Sequence, residues 1–174
     1  MWAHHPAHFN VMSPHSVIIY DGVCSLCASV VRFVVKRDPA KLFKFASLQS
    51  RAAAPLLAAH GISREDALQS FVVLPSGGGA ALRRSAAALF IGRHLGGWLW
   101  PALSQLARAV PTLVADFFYG IVAANRYAWF GKIADDSLCL LPSRKVLERF
   151  LDAEEVMEEV RRKNAQASAA DKLD

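Results

Sequence analysis

The stretch IIYDGVCSLCASVVRF, residues 18–33, joins a β-prone run to a helical pattern and carries two cysteines at the junction. The residues before Asp21-Gly22 are apolar and mostly β-branched, whereas Asp-Gly is typical of a turn. Beyond Cys24 the apolar residues repeat at helical spacing: Cys27, Val30, Val31 and Val34. The stretch therefore predicts a strand, a tight turn and a helix whose first turn begins at Cys24.

A cysteine pair at the start of a helix suits thiol–disulfide exchange. The unpaired N–H groups and the dipole of a helix N-terminus favour a thiolate on Cys24, and the thiolate is the species that attacks a disulfide. Cys27 begins the apolar stripe, so we expect Cys24 to be exposed and Cys27 to be more buried. In this interpretation Cys24 attacks the substrate and Cys27 resolves the mixed disulfide. Asp21 is the nearest candidate to accept the proton of Cys27, or else it only caps the turn.

Two other interpretations of the pair stay open. One C-x-x-C supplies two of the four ligands that zinc needs, and Cys139 with His60 or His94 would complete a site, although no second C-x-x-C accompanies them. The third interpretation is two small buried residues without chemistry. The redox pair explains the position between strand and helix best, so we expect no metal and no cofactor. Cys139 is then a buried small residue or a third redox thiol.

The composition bounds the class of protein. The chain has 174 residues, a net charge of +5 and 53% hydrophobic residues, which favours one folded domain with an apolar contact surface. The basic residues are scattered, which argues against a nucleic-acid partner. Three cysteines make a poor disulfide framework. Because the first residues lack the pattern of a signal peptide, we expect a cytoplasmic protein.

Further elements complete an α/β pattern. The sequence predicts strands at residues 42–46, 71–74 and 80–83, the last two forming a hairpin, and helices at residues 51–60 and 85–97. We expect Ser85 to cap the second of these helices. The resulting order, β-α-β-α-β-β-α, predicts a sandwich of helices against one mixed sheet. A C-x-x-C at the start of the first helix is where a thioredoxin-like fold carries its redox pair.

Residues 98–130 are apolar and aromatic, but charged residues and a proline interrupt them: Arg108, Pro111 and Asp116. This pattern predicts two or three helices beside the sheet, and it offers a contact surface for an apolar protein or a membrane. Residues 143–164 predict a terminal helix. We therefore expect three parts: a flexible lead at residues 1–15, a single domain at residues 16–164 with a helical extension from about residue 98, and a frayed tail at residues 165–174.

The motif DGVCSLC resembles the DCC family of thiol-disulfide oxidoreductase-like proteins, whose Asp-Cys-Cys pattern corresponds to Asp21, Cys24 and Cys27. The likeness extends to FKFASLQS, RRSAAALF and NRYAWFGK followed by CLLP, and it spans about residues 17–150. It implies a thioredoxin-like fold and an enzyme that exchanges dithiols and disulfides with a protein or small-molecule substrate. The alternative is a module that binds a partner or a membrane surface, with the cysteines as a redox switch or a zinc site.

The chain departs from this pattern at two places. Thioredoxins have a cis-proline before the third strand that grips the substrate backbone, but LQSF (residues 68–71) stands there, so we expect substrate docking to differ. The family often has an acidic residue after the serine that corresponds to Ser85, where this chain has alanine.

Five residues complete the candidate site as substrate-binding groups: Gly22, Ser47, Gln49, Arg126 and Trp129. Ser47 and Gln49 follow the second predicted strand, and we expect them to hydrogen-bond near the cysteines. Arg126 and Trp129 belong to a cluster with Tyr127 and Phe130. Either its aromatic residues pack in the core and the arginine lies on the surface, or the cluster forms an aromatic and basic wall beside the cysteine pair. In the wall, Arg126 would stabilise the thiolate.

Overall fold

A computed structural model describes residues 14–132, 144–155, 157 and 158, and its centre is a four-stranded sheet. The strands are β1 (Ser16–Tyr20), β2 (Phe43–Ser47), β3 (Val72–Leu74) and β4 (Leu82–Arg83), in the spatial order β2-β1-β3-β4. β1 is parallel to β2 and antiparallel to β3, which pairs antiparallel with β4. This mixed sheet and its helices confirm the predicted thioredoxin-like α/β fold.

The helices follow the strands in the predicted order, with one addition. Their bounds are α1 (Ser25–Arg37), α2 (Ala53–Ala59), α3 (Arg64–Leu68), α4 (Arg84–His94), α5 (Leu99–Ala107), α6 (Thr112–Phe130) and α7 (Arg144–Leu147). The short α3 was not predicted. The sequence feature that could have predicted α3 is the capping residue Ser63. Its hydroxyl accepts a 3.0 Å hydrogen bond from the N–H of Asp66.

The central strand β1 contributes to both cores, because its side chains alternate between the two faces of the sheet. Val17 and Ile19 pack on the face covered by α2 and α3, whereas Ile18 packs on the face covered by α1 and α4. Each of the three is only 1% exposed. Val31 and Val34 of α1 belong to the same cluster as Ile18. This burial fixes α1, and with it the cysteine pair, at the end of the central strand.

Helices α5 and α6 form a bent pair that leaves one face open. The two helices are bent by 114° at the break between them. Although α6 contacts α4 and α1, none of its residues is fully buried. Within the part of the chain that the structure describes, no single helix has the length and apolar character to cross a membrane, but α5 and α6 taken together meet that criterion.

The predicted terminal helix at residues 143–164 is wrong between residues 148 and 152. There Phe150 forms an isolated parallel bridge with Phe45 of β2. The N–H of Phe45 donates to the carbonyl of Arg149 at 2.9 Å. The guanidinium of Arg149 also forms a buried ion pair with Asp38. These residues pair with the open edge of β2 instead of continuing the helix. The edge supplies backbone hydrogen-bond partners, and the buried ion pair with Asp38 stabilises the same arrangement.

Candidate active site

The turn after β1 is organised around the carboxylate of Asp21, which is 4% exposed. One of its oxygens accepts the N–H of Val23 at 3.2 Å and the amide of Gln49 at 2.9 Å. The other accepts the guanidinium of Arg126 at 3.2 Å and the hydroxyl of Tyr127. Burial alone would raise the pKa of Asp21, but these four donors outweigh it and hold the pKa below its ordinary value. Asp21 is therefore ionised at neutral pH, and each oxygen has two partners.

Gly22 lies so close to the end of β2 that no side chain fits there. A Cβ at this position would lie 2.4 Å from Ser47 Oγ and 2.9 Å from Gln49 Oε1. Instead, the N–H of Gly22 donates to Gln49 Oε1 at 2.9 Å, and the hydroxyl of Ser47 donates to the same oxygen at 2.7 Å. The structure thus brings Gly22, Ser47 and Gln49 together beside Asp21, where they support the turn.

Cys24 and Cys27 are free thiols at the start of α1, and both are buried. Cys24 is the residue that precedes the helix, one turn before Cys27. Cys24 is 0% exposed and Cys27 is 8% exposed, so the expectation that Cys24 is exposed and Cys27 more buried is wrong. Burial, the hydrogen bond and charge of Cys24, and the charge of Asp21 raise the pKa of Cys27. The nearby charge of Arg126 acts in the opposite direction but does not cancel this rise.

The segment that follows α6 covers Cys24. The backbone of Lys132 forms an isolated antiparallel bridge with Cys24, and the N–H of Ser25 donates to the carbonyl of Gly131 at 3.4 Å. Gly131 ends α6 with φ 73°, a left-handed conformation that favours glycine. The sequence placed Cys24 at a helix start, but local spacing could not reveal that a distant segment closes over it.

Arg126 connects α6 to the turn and to the loop before β3. Its guanidinium donates to the carbonyl of Leu68 at 2.8 Å and to the carbonyl of Ala123 at 2.9 Å, in addition to its bond with Asp21. The structure therefore places Arg126 at the site. Trp129, from the same predicted wall, is 57% exposed and has its ring against Phe130.

Side chains of α6 also hold the loop before β3. The hydroxyl of Tyr119 accepts the N–H of Phe71 at 3.2 Å, while Arg126 binds the carbonyl of Leu68. No peptide bond among residues 14–132 is cis. In this chain, the backbone at residues 68–71 is therefore already hydrogen-bonded to the protein's own helix.

Ser85 is not the helix cap that the sequence predicted. Helix α4 begins at Arg84, and the N–H of Ser85, at 3.2 Å, and its hydroxyl both donate to Asp116 of α6. Ser85 is followed by Ala86 rather than by an acidic residue, but the carboxylate of Asp116 on α6 binds this serine instead. Asp116, Tyr119 and Arg126 recur at helical spacing, so they share one face of α6. Polar residues at that spacing in an apolar helix are the signal that would have predicted these contacts.

The zinc interpretation finds no support in the described part of the chain, where no three His, Cys, Asp or Glu side chains lie close enough to hold a metal ion. Nδ1 of His60 is 2.9 Å from the carbonyl of Leu56, and Nδ1 of His94 is 2.8 Å from the carbonyl of Phe90. The third cysteine, Cys139, lies outside the described residues.

Comparison with known proteins places this site in a family. The model of the family described as DCC1-like thiol-disulfide oxidoreductase matches residues 18–132, from β1 to the segment over Cys24. The chain is 42% identical over 139 residues to the uncharacterized protein YuxK of Bacillus subtilis (strain 168), which covers 79% of this chain and 95% of that protein. It is 34% identical over 131 residues to a chloroplastic DCC family protein of Arabidopsis thaliana, which covers 75% of this chain and 74% of that protein. No solved structure matches the chain.

Proposed function

The chain belongs to the DCC1-like thiol-disulfide oxidoreductase family, and from this premise we propose that Cys24 and Cys27 exchange two electrons with a disulfide substrate. A thiolate of the pair attacks the substrate disulfide, which breaks its S–S bond, forms a mixed disulfide and releases one substrate thiol. The second cysteine then loses its proton to solvent and attacks the protein sulfur of the mixed disulfide, which forms the Cys24–Cys27 bond, breaks the mixed disulfide and expels a substrate thiolate that takes up a proton from solvent. The substrate leaves as two thiols, and the protein retains a Cys24–Cys27 disulfide. The reverse sequence oxidises a dithiol substrate.

The observation that carries this proposal is the placement of two free thiols one helical turn apart, Cys24 at the N-terminus of α1 and Cys27 within its first turn. Its raised pKa makes Cys27 hold its proton more tightly than an ordinary cysteine, which suits a thiol that acts second. The dipole of a helix favours negative charge at its N-terminus, where Cys24 lies. Cys24 is therefore the nucleophile and Cys27 the resolving thiol.

Attack on a disulfide requires Cys24 to be uncovered first. Cys24 is fully buried, and among the described residues an isolated bridge and a hydrogen bond of 3.4 Å join the segment of Gly131 and Lys132 to the helix start. Because a hydrogen bond of this length is weak, we expect this contact to open locally at a lower cost than global unfolding. We therefore include an opening at Gly131 as the first step of the reaction.

Asp21 supports the pair through its charge and through the residues that it holds. A carboxylate with a lowered pKa and four donors is a weak base toward a thiol. Its negative charge disfavours a thiolate on Cys27, which helps to keep the resolving thiol protonated before the substrate is attacked. Asp21 also fixes Arg126 and Tyr127, so it positions α6 beside the cysteines.

Trapping the mixed disulfide tests these roles. The Cys27→Ser protein, incubated with a short peptide that contains one disulfide, is expected to accumulate a covalent adduct on Cys24, located by peptide mass spectrometry under non-reducing conditions. The matched Cys24→Ser protein is expected to accumulate little or none. Adduct on Cys27 alone would reverse the two assignments, and the absence of adduct from both variants would reject the exchange.

A second proposal concerns the open face of α5 and α6, which we propose rests on the surface of a lipid bilayer. Large apolar side chains on this face are exposed: Trp98 by 80%, Leu106 by 72%, Leu113 by 87%, Phe117 by 65% and Phe118 by 62%. Three charged residues lie between residues 98 and 130, and two of them, Asp116 and Arg126, bind inward to the rest of the fold. An apolar face of this size with tryptophan at its edge fits the interfacial region of a membrane.

Vesicle flotation tests this second proposal. The wild-type protein is expected to float with vesicles of phosphatidylcholine and phosphatidylglycerol, whereas Leu113→Glu is expected to remain with the unbound fraction. Ala54→Glu, at an exposed position of α2, is the matched control that should float like the wild type. If the protein does not bind vesicles and is a monomer in gel filtration, the membrane proposal is wrong. If it does not bind vesicles and is a stable dimer, the exposed face contacts a second protein chain instead.

A further inference from the structure

Helix α6 holds the cysteine site with some of its side chains and exposes large apolar side chains to the outside. Arg126 and Tyr127 bind the carboxylate of Asp21. Phe118 and Trp129 are 62% and 57% exposed, and they lie about three helical turns apart, so they belong to one row on the outer face of α6. A contact on this outer face therefore acts on the same helix that holds the site.

The end of α6 continues directly into the segment that meets Cys24. The backbone of Lys132 forms its bridge with Cys24 only three residues after Trp129. Gly131 lies between them with φ 73°, and a Cβ at this glycine would meet no other atom within 4 Å. Because the space around this hinge is open, a displacement of the last residues of α6 can move Lys132 away from Cys24.

The side chain of Lys132 suits the headgroup region of a bilayer. Lys132 is exposed, and its ammonium lies 5.1 Å from the centre of the Tyr127 ring. A cation–π contact at an exposed site is weak, whereas a lipid phosphate offers the ammonium a charged partner. Tryptophan and lysine are residues that anchor proteins at the boundary between headgroups and acyl chains. The end of α6 offers both, at Trp129 and Lys132.

The charges around α5 and α6 favour an anionic surface over a neutral one. Residues 99–130 contain one acidic residue, Asp116, and its carboxylate binds Ser85. Arg108, at the break between α5 and α6, and Lys132, which follows α6, are both exposed. Exposed cations thus flank α6 at both ends, and anionic phospholipids are the lipids that complement them.

We propose that the end of α6 binds the surface of an anionic bilayer and that this binding uncovers Cys24. In the bound state Trp129 lies between headgroups and acyl chains, Lys132 pairs with a lipid phosphate, and the bridge between Lys132 and Cys24 is broken. The inference rests on the lipid surface proposed above and adds regulation to it. The thiol is accessible on the membrane and covered away from it.

Alkylation of Cys24 by iodoacetamide tests this inference, because the reaction needs an uncovered thiol but no disulfide substrate. The Cys27→Ser protein is labelled without vesicles and with enough vesicles to float all of it, and peptide mass spectrometry follows Cys24. Vesicles of phosphatidylcholine and phosphatidylglycerol should speed the reaction about tenfold, of which the attraction of one lysine to an anionic surface supplies about fivefold. Vesicles of phosphatidylcholine alone should therefore speed it only about twofold. If Cys27→Ser does not fold, Cys27→Ala takes its place.

Two lysine variants of this protein provide a matched pair. Lys132→Gln should still float with the mixed vesicles but lose about fivefold of the acceleration. Lys36→Gln, at an exposed position in the last turn of α1, should keep all of it. Equal acceleration in the two variants, or protein that floats without faster alkylation of Cys24, would overturn the inference and leave the lipid surface standing. Protein that does not float rejects the lipid surface and this inference together, whereas the exchange by the cysteines has its own test.

Discussion

Replacing Gly22 with alanine tests whether contact with β2 holds the turn before the cysteines. The new Cβ would lie 2.4 Å from Ser47 Oγ, where ordinary contacts begin at 3.4 Å, so this oxygen must withdraw by about 1 Å. The backbone of Ser47 is fixed, because its N–H donates to Asp152 at 2.8 Å. The side chain of Ser47 must therefore rotate away from the turn.

The magnitude follows from the hydrogen bonds that this rotation breaks. Gln49 Oε1 would lie only 2.9 Å from the new carbon, so the side chain of Gln49 must also move away. It then loses the hydrogen bond from the N–H of position 22 and the hydrogen bond that it donates to the carboxylate of Asp21. A neutral hydrogen bond contributes about 1 kcal/mol to stability, and one to a charged group about 1.5–3 kcal/mol. We therefore expect Gly22→Ala to lower the free energy of unfolding by about 3 kcal/mol.

Equilibrium unfolding in urea, followed by circular dichroism, measures this loss. Gly79→Ala is the control, because its Cβ would meet Pro75 at an ordinary distance of 3.5 Å. In the double variant Gly22→Ala/Ser47→Ala the clashing oxygen is absent, so its loss should be smaller than the sum of the two single losses by about 1 kcal/mol. A loss for Gly22→Ala no larger than that of the control would refute the contact, as would losses that simply add.

The remaining predictions concern the two thiols. Asp21→Asn, made in the Cys24→Ser protein, should move the pH midpoint for alkylation of Cys27 to lower pH. Removal of a negative charge favours the thiolate and so lowers the pKa of Cys27. A rise of this midpoint, or no change, would contradict the role proposed for Asp21. Gly131→Ala strains the cover at φ 73° by about 1 kcal/mol and should speed alkylation of Cys24 about fivefold. Gly97→Ala, at φ 87° away from the site, is its control, and equal rates in the two variants would mean that Gly131 is not the hinge.

Local patterns in the sequence predicted the sheet and the start of α1 well. The alternation of β1 and the helical spacing after Cys24 are properties of neighbouring residues, and burial of Ile18 and Val34 on one face agrees with both. The hairpin of β3 and β4 followed from its glycine-rich turn in the same way. Such features need only short windows, because strand and helix periods are local.

Contacts between distant segments could not be predicted in this way. Cys24 forms a bridge with the distant Lys132, and the terminal helix is broken where Phe150 forms a bridge with Phe45. Helix propensity favours a continuous helix through Phe150, but the sheet edge supplies backbone bonds that propensity does not include. The contacts of Asp116 and Tyr119 could have been predicted. Together with Arg126 these residues recur at helical spacing, which marks a polar face on an apolar helix.

The proposed reaction requires Cys24 and Cys27 to form a reversible disulfide. A titration of the full chain in glutathione buffers of known ratio, with thiols alkylated after acid quenching and counted by mass spectrometry, measures this directly. We predict a single two-electron transition in which both cysteines become protected together, with a Cys24–Cys27 linked peptide in the oxidised protein. Cysteines that remain open to alkylation at every ratio, or that are protected only as separate glutathione adducts, would contradict the proposed disulfide exchange.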